Sequence, residues 1–169
     1  MRFFMITGRR HIGKTTFLLE LIEDLKDSFT IGGVLTLGDE KKAFVNLQNG
    51  TKCDYYKEND SIKEQIGDYI ISEKAIKFAE QAITTAIDSK IIIIDEFGRL
   101  EREKKGLYNA IINLVEQIRD KEGTILLMVI QIDVVDKAIK LLNLEPEEIG
   151  TLEKNHNNKE IRERLLERL

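Results

Sequence analysis

Cysteine, proline and tryptophan are almost missing from this chain of 169 residues, which has one cysteine, one proline and no tryptophan. A lone Cys53 excludes an internal disulfide framework and fits a reducing, cytoplasmic setting. The same thiol has no identified base partner, which argues against a thiol nucleophile. Histidine is scarce too: His11 and His156 stand apart, with no cysteine or histidine cluster to make a zinc site. No stretch approaches the roughly 20 apolar residues that span a bilayer, so no membrane partner is expected. The opening RFFMI is too short for a secretory leader and runs straight into a glycine motif. A large excess of positive charge is absent as well, and a net charge of −4 argues against a general nucleic-acid binder.

What is present describes a globular chain, 42% hydrophobic and 33% charged, long enough to bury one core over residues 1–169. The charge is mostly lysine and glutamate, and isoleucine is plentiful, a bias that suits the ion-paired surface of a thermophile's protein. Residues 2–7 read as a short buried strand, and the stripe Phe17, Leu18, Leu21, Ile22 and Leu25 gives a helix over 14–27. Two strands, 29–37 and 42–50, joined by GDEKK make a hairpin, to which TKCDYY adds a third strand. Ser72 opens a capped helix over 72–88. Four consecutive isoleucines in 90–95 mark a central parallel strand buried on both faces. Helix 106–120, strand 124–131, helix 133–143, a short strand near 148–153 and helix 157–168 complete the chain. Strands alternating with helices imply parallel βαβ units in a three-layer α/β/α domain.

Two segments carry chemistry. TGRRHIGKTT follows the first strand and opens the first helix, and it holds Gly8, Gly13, Lys14 and Thr15 in the spacing G-x-x-x-x-G-K-[ST]. Successive backbone N–H groups in such a loop form an anion nest, and the helix N-terminus adds its positive dipole. Lys14 would reach the β- and γ-phosphates of a nucleoside triphosphate, and the Thr15 hydroxyl would ligate Mg²⁺. Arg9 and Arg10 either point outward, because the cradle uses its backbone, or reach over the γ-phosphate. IIIIDEFGRLE is the matching half. Asp95, at the carboxyl end of a buried strand, can hold Mg²⁺ opposite Thr15. Glu96 is placed to orient or deprotonate an attacking water, and is otherwise a solvated loop carboxylate. Arg99 and Arg102 join the arginine candidates for stabilising phosphate charge. Gln131, at a strand end, either senses the γ-phosphate or caps the strand.

Together with IGDYIISEKAIKFAEQAI, these segments resemble the thermostable P-loop nucleoside-triphosphatases, a nucleotide-kinase-like family, over nearly the whole length. The loop from Gly8 through Arg9, Arg10, His11, Ile12, Gly13, Lys14 and Thr15 to Thr16 corresponds to the family's phosphate loop. GGVLT matches its glycine-aromatic-x-Thr strand, and GDYIISEKAI its Gly-x-Tyr helix entrance. Asp95, Glu96, Gly98 and Glu101 fit its Asp-Glu-x-Gly-Lys-Met-Glu segment, with Arg99 in place of lysine. The chain departs from the family pattern at Arg10 and His11, where Pro-Gly is usual, and at Leu37 and Gly38, where a Glu-Glu pair is expected. Lys41 to Phe44 stand where the family has Arg-x-Gly-Phe, and Asp133 stands where a basic residue is usual. The resemblance implies the additional-strand, RecA-like type of P-loop fold and slow, Mg²⁺-dependent hydrolysis of nucleoside triphosphates with broad base tolerance. Two rival readings stay open: a nucleotide or small-molecule kinase, and a nucleotide-dependent binding or assembly module with little turnover.

Overall fold

The run Ile91–Ile94 shows how the layers are arranged. Ile92 and Ile94 pack into a core beneath one sheet face, while Ile91 and Ile93 pack into a second core beneath the other. Side chains alternate across a strand, so a continuous apolar run is what burial on both faces requires.

The computed structural model describes residues 1–38, 41–66, 69–153 and 158–169. The first part of the chain runs β1 (Arg2–Gly8), α1 (Lys14–Leu25), β2 (Ile31–Leu37), β3 (Ala43–Asn46), β4 (Lys52–Asp54), β5 (Ile62–Ile66), β6 (Tyr69–Ser72) and α2 (Glu73–Thr85). It continues with β7 (Ile91–Phe97), α3 (Arg99–Arg102), α4 (Tyr108–Ile118), β8 (Ile125–Gln131), α5 (Val135–Leu142), β9 (Glu148–Leu152) and α6 (Lys159–Arg168). The main sheet has the order β4-β3-β2-β7-β8-β1-β9. β2, β7, β8, β1 and β9 are mutually parallel, and β3 and β4 extend one edge antiparallel. Helices α2, α4 and α5 cover one face, and α1 and α6 the other. β8 therefore lies between the glycine-loop strand β1 and the Asp-Glu strand β7, which is the additional-strand arrangement.

Helices α1 and α2 start differently. Ser72 accepts a hydrogen bond from the Ala75 N–H at 3.1 Å, and Glu73 adds an acid to the first turn of α2. Both satisfy the helix's positive end. α1 has no side-chain cap and no acid in its first turn, so its N-terminal N–H groups and dipole stay available.

The described residues differ from the expectations in three places. β3 stops at Asn46 because its side chain accepts from the Gln48 N–H at 2.9 Å and its carbonyl from the Gly50 N–H at 2.8 Å, which turns the chain through 47–50. A hairpin of β5 and β6 forms a separate two-stranded sheet where no strands were expected. The helix expected over 106–120 begins at Tyr108, preceded by the short α3. The acids Asp39 and Glu40 of the first hairpin's turn, Gly67 and Asp68 of the helix-entrance motif, and His156 lie outside the described residues.

Gly33 on β2 pairs with Ile93 on β7, has φ +106°, and would place a Cβ 2.0 Å from the Ile93 carbonyl oxygen. Gly50 also has positive φ, +70°, but faces open space. Gly33→Ala is expected to cost about 3 kcal/mol or more, and Gly50→Ala about 1 kcal/mol. Urea unfolding of the two variants checks this; equal costs would contradict the placement of Gly33.

Candidate active site

The site begins where β1 meets α1. A Cβ on Gly8 would lie 2.9 Å from the Leu152 carbonyl oxygen of β9, so the chain's approach there requires glycine. The loop then passes His11, at φ 56°, and Gly13, at φ 93°. These left-handed residues bend the backbone into a cradle. Ile12 turns inward and packs on the core beneath α1. Lys14 folds back over the loop, and its ammonium donates to the carbonyls of Gly8 at 3.2 Å and Arg9 at 3.0 Å.

Asp95 meets this loop from β7. Its pairing partner in β8 is Val129, the pairing slips between Asp95 and Phe97, and the Asp95–Glu96 peptide is cis. Asp95 Oδ2 accepts from the Thr15 hydroxyl at 3.3 Å and from the Thr36 N–H at 3.4 Å. The Thr36 hydroxyl donates to the Asp95 carbonyl at 2.9 Å and lies 3.4 Å from the Tyr55 hydroxyl. Burial, reinforced by the neighbouring charge of Glu96, pushes the Asp95 carboxyl up from 3.8 to about 7, against the opposing pull of Thr36, Thr15 and Lys14. Glu96 is more open. Its Oε1 lies 3.5 Å from Lys14 Nζ and its Oε2 accepts from Gln131 Nε2 at 2.9 Å.

A cleft of about 530 Å³ runs over these groups, lined on one side by Gly8, Arg10, His11, Gly13, Lys14, Thr15 and Thr16, and beyond them by Asp95, Glu96, Gly98 and Arg99. Arg9 is exposed and contributes only its carbonyl, and Arg102 pairs with Glu103 at 3.4 Å outside the lining. Arg99 stands at the rim, its Nε 3.9 Å from an Asp133 oxygen. Thr36, Tyr55, Phe44, Lys42 and Leu107 also line the cleft, although sequence reasoning did not single them out for the site. Of these, Thr36 had a signal as the threonine closing GGVLT, and Lys42 and Phe44 fall in the stretch that stands for the family's Arg-x-Gly-Phe; Tyr55 and Leu107 had none. Glu101 is buried and accepts from the N–H groups of Gly98 at 3.0 Å and Leu107 at 3.1 Å, so it holds the turn after β7. Burial raises the Cys53 thiol away from its reactive thiolate form.

Comparison with known proteins accords with this geometry. A family model described as NTPase matches residues 3–167. The nucleoside-triphosphatase THEP1 of Archaeoglobus fulgidus is 28% identical over 120 residues, 68% of this chain and 71% of that protein. The crystal structure of THEP1 from the hyperthermophile Aquifex aeolicus shares the fold with a TM-score of 0.75 and 24% identity, covering 99% of this chain and 98% of that one.

The raised carboxyl of Asp95 has a consequence for stability. Between about pH 4 and 7 the folded, ligand-free protein keeps a proton that the unfolded chain has lost, so this group destabilises the fold progressively as pH rises, and no further above about 7. Asp95→Asn is therefore expected to match wild type near pH 4 and to exceed it by a few kcal/mol at pH 8. Urea unfolding across that range tests it; a difference independent of pH would contradict it.

Proposed function

This chain belongs to the NTPase family, and on that premise we propose that it hydrolyses nucleoside triphosphates to the diphosphate and phosphate with Mg²⁺ at this cleft. The observation that carries the reading is the 3.3 Å contact of the Thr15 hydroxyl with the Asp95 carboxylate, beside Lys14 and Glu96. The donors fit a hard divalent cation: a hydroxyl and a carboxylate, both oxygen, converge at the mouth of an anion-binding loop. They fit also because a carboxylate with a raised pKa gains from a nearby cation. Thr15 and Asp95 would hold the ion, which when bound would neutralise charge on the phosphate oxygens.

The chain's own groups do the rest. The loop N–H groups and the first turn of α1 bind the phosphates, and Lys14 exchanges its carbonyl partners for phosphate oxygens. Glu96 accepts a proton from water as the water oxygen bonds to the γ-phosphorus. The bridging bond to the β-phosphate then breaks, and its electron pair leaves with the diphosphate. Arg10 and Arg99, both on the lining, would meet the developing charge, and His11 lines the cleft beside them. Arg9 and Ile12 serve through loop backbone and packing.

A second reading, transfer to an acceptor other than water, has one observation in its favour. The sheet order carries the cleft past the carboxylates of β7, over Thr36 of β2, to Phe44 of β3 and its partner ring Tyr55, 4.5 Å away. At about 4.8 Å per strand, that wall lies on the far side of Glu96 from the glycine loop.

Phosphate release from ATP, GTP, CTP and UTP, with and without Mg²⁺, tests the main reading. Glu96→Gln is expected to lower kcat roughly 10²- to 10³-fold with KM little changed, and Lys14→Ala to weaken both. No release with any triphosphate, or Glu96→Gln turning over like wild type, would overturn it. Labelled phosphate appearing on an acceptor would favour the second reading.

A further inference from the structure

Gln131 ends β8, the strand inserted between the two halves of the site. Its amide nitrogen donates to Glu96 Oε2 at 2.9 Å, while Glu96 Oε1 lies 3.5 Å from Lys14 Nζ. The two carboxylate oxygens thus have different partners, one a fixed neutral amide and one a cation with other work to do. Gly98 is buried against that amide. Its φ of −129° does not require glycine, but a Cβ there would stand 2.9 Å from Gln131 Nε2 and 3.1 Å from its Cδ.

We propose that Gln131 is the positioning residue for Glu96, and that residue 98 is glycine because a side chain there would push the Gln131 amide off that carboxylate. The inference rests on the reading of Glu96 as the group that takes the water's proton. Without nucleotide, Lys14 and Gln131 hold one oxygen each. Once a triphosphate draws Lys14 onto its phosphates, Oε1 is released to receive the proton. Oε2 keeps its hydrogen bond to Gln131, so the carboxylate does not swing free when its cation leaves. A base held in one orientation loses less freedom on the way to the transition state, which raises kcat without tightening substrate binding.

Steady-state kinetics of Gln131→Met, Gly98→Ala and the double variant test this on the same triphosphate. Methionine keeps the length of glutamine but lacks the amide donor. Each single variant is expected to lower kcat roughly 10- to 100-fold, the range expected for one lost hydrogen bond to a charged group, with KM within about twofold. The double variant is expected to be no slower than the worse single variant, since both act through one contact. Gly98→Ala should unfold within a few degrees of wild type, because only the end of a side chain must move. A kcat for Gln131→Met within twofold of wild type would overturn the proposal. So would losses that multiply in the double variant, or an effect confined to KM. Wild type failing to hydrolyse any triphosphate would instead remove the reading of the site itself, and this inference with it.

Discussion

The Thr15 hydroxyl and the Asp95 carboxylate meet across 80 residues of chain, and the arrangement of the site follows from what makes that meeting happen. Asp95 is a buried acid in β7, directly after four isoleucines. A charge in such a place is costly unless it is met by donors or a cation. Thr36 and Thr15 supply donors from β2 and α1, and Lys14 supplies nearby positive charge. The same burial that fixes the carboxylate's position lifts its pKa, which makes it responsive to whatever cation comes next to it.

Sheet order does the positioning. With β8 inserted between β1 and β7, the loop and the carboxylates face each other over the end of a third strand, and Gln131 fills that place. The cleft lies at the carboxyl ends of the parallel strands, where loops diverge and helix N-termini point inward. Among the helices, α2 is capped by its own serine, whereas α1 has neither a side-chain cap nor an acid in its first turn. That difference leaves an electropositive helix end beside the buried acid.

Much of this is legible in the sequence because the signals are local. Four isoleucines before an acid reflect burial on both faces of one strand. The glycine-lysine-threonine spacing reflects a cradle built within eight residues. Thr36, Tyr55 and Phe44 were harder to find, because they reach the cleft only through pairing of β2 with β7 and of β3 with β2 and β4. The hairpin of β5 and β6 escaped for another reason: Lys63, Glu64 and Gln65 run consecutively through β5 and leave no alternation to read. Gly98 was marked by its motif, but the contact that explains it belongs to Gln131, 33 positions away in the chain. His11 shows the reverse. It stands where the resembling family has glycine, and it still takes the left-handed conformation, φ 56°, at a cost a glycine would not bear. Leu37, where that family has an acid, is half-buried against the core instead.

On this mechanism Thr15 and Asp95 would act together on one ion that accompanies the nucleotide. Calorimetric titration of ATP into wild type, Thr15→Ala, Asp95→Asn and the double variant, with Mg²⁺ and then with chelator, tests it most directly. Either single substitution is expected to remove most of the Mg²⁺-dependent gain in affinity, and the second to add little. Equal Mg²⁺ dependence in all four proteins, or losses that simply add, would contradict it.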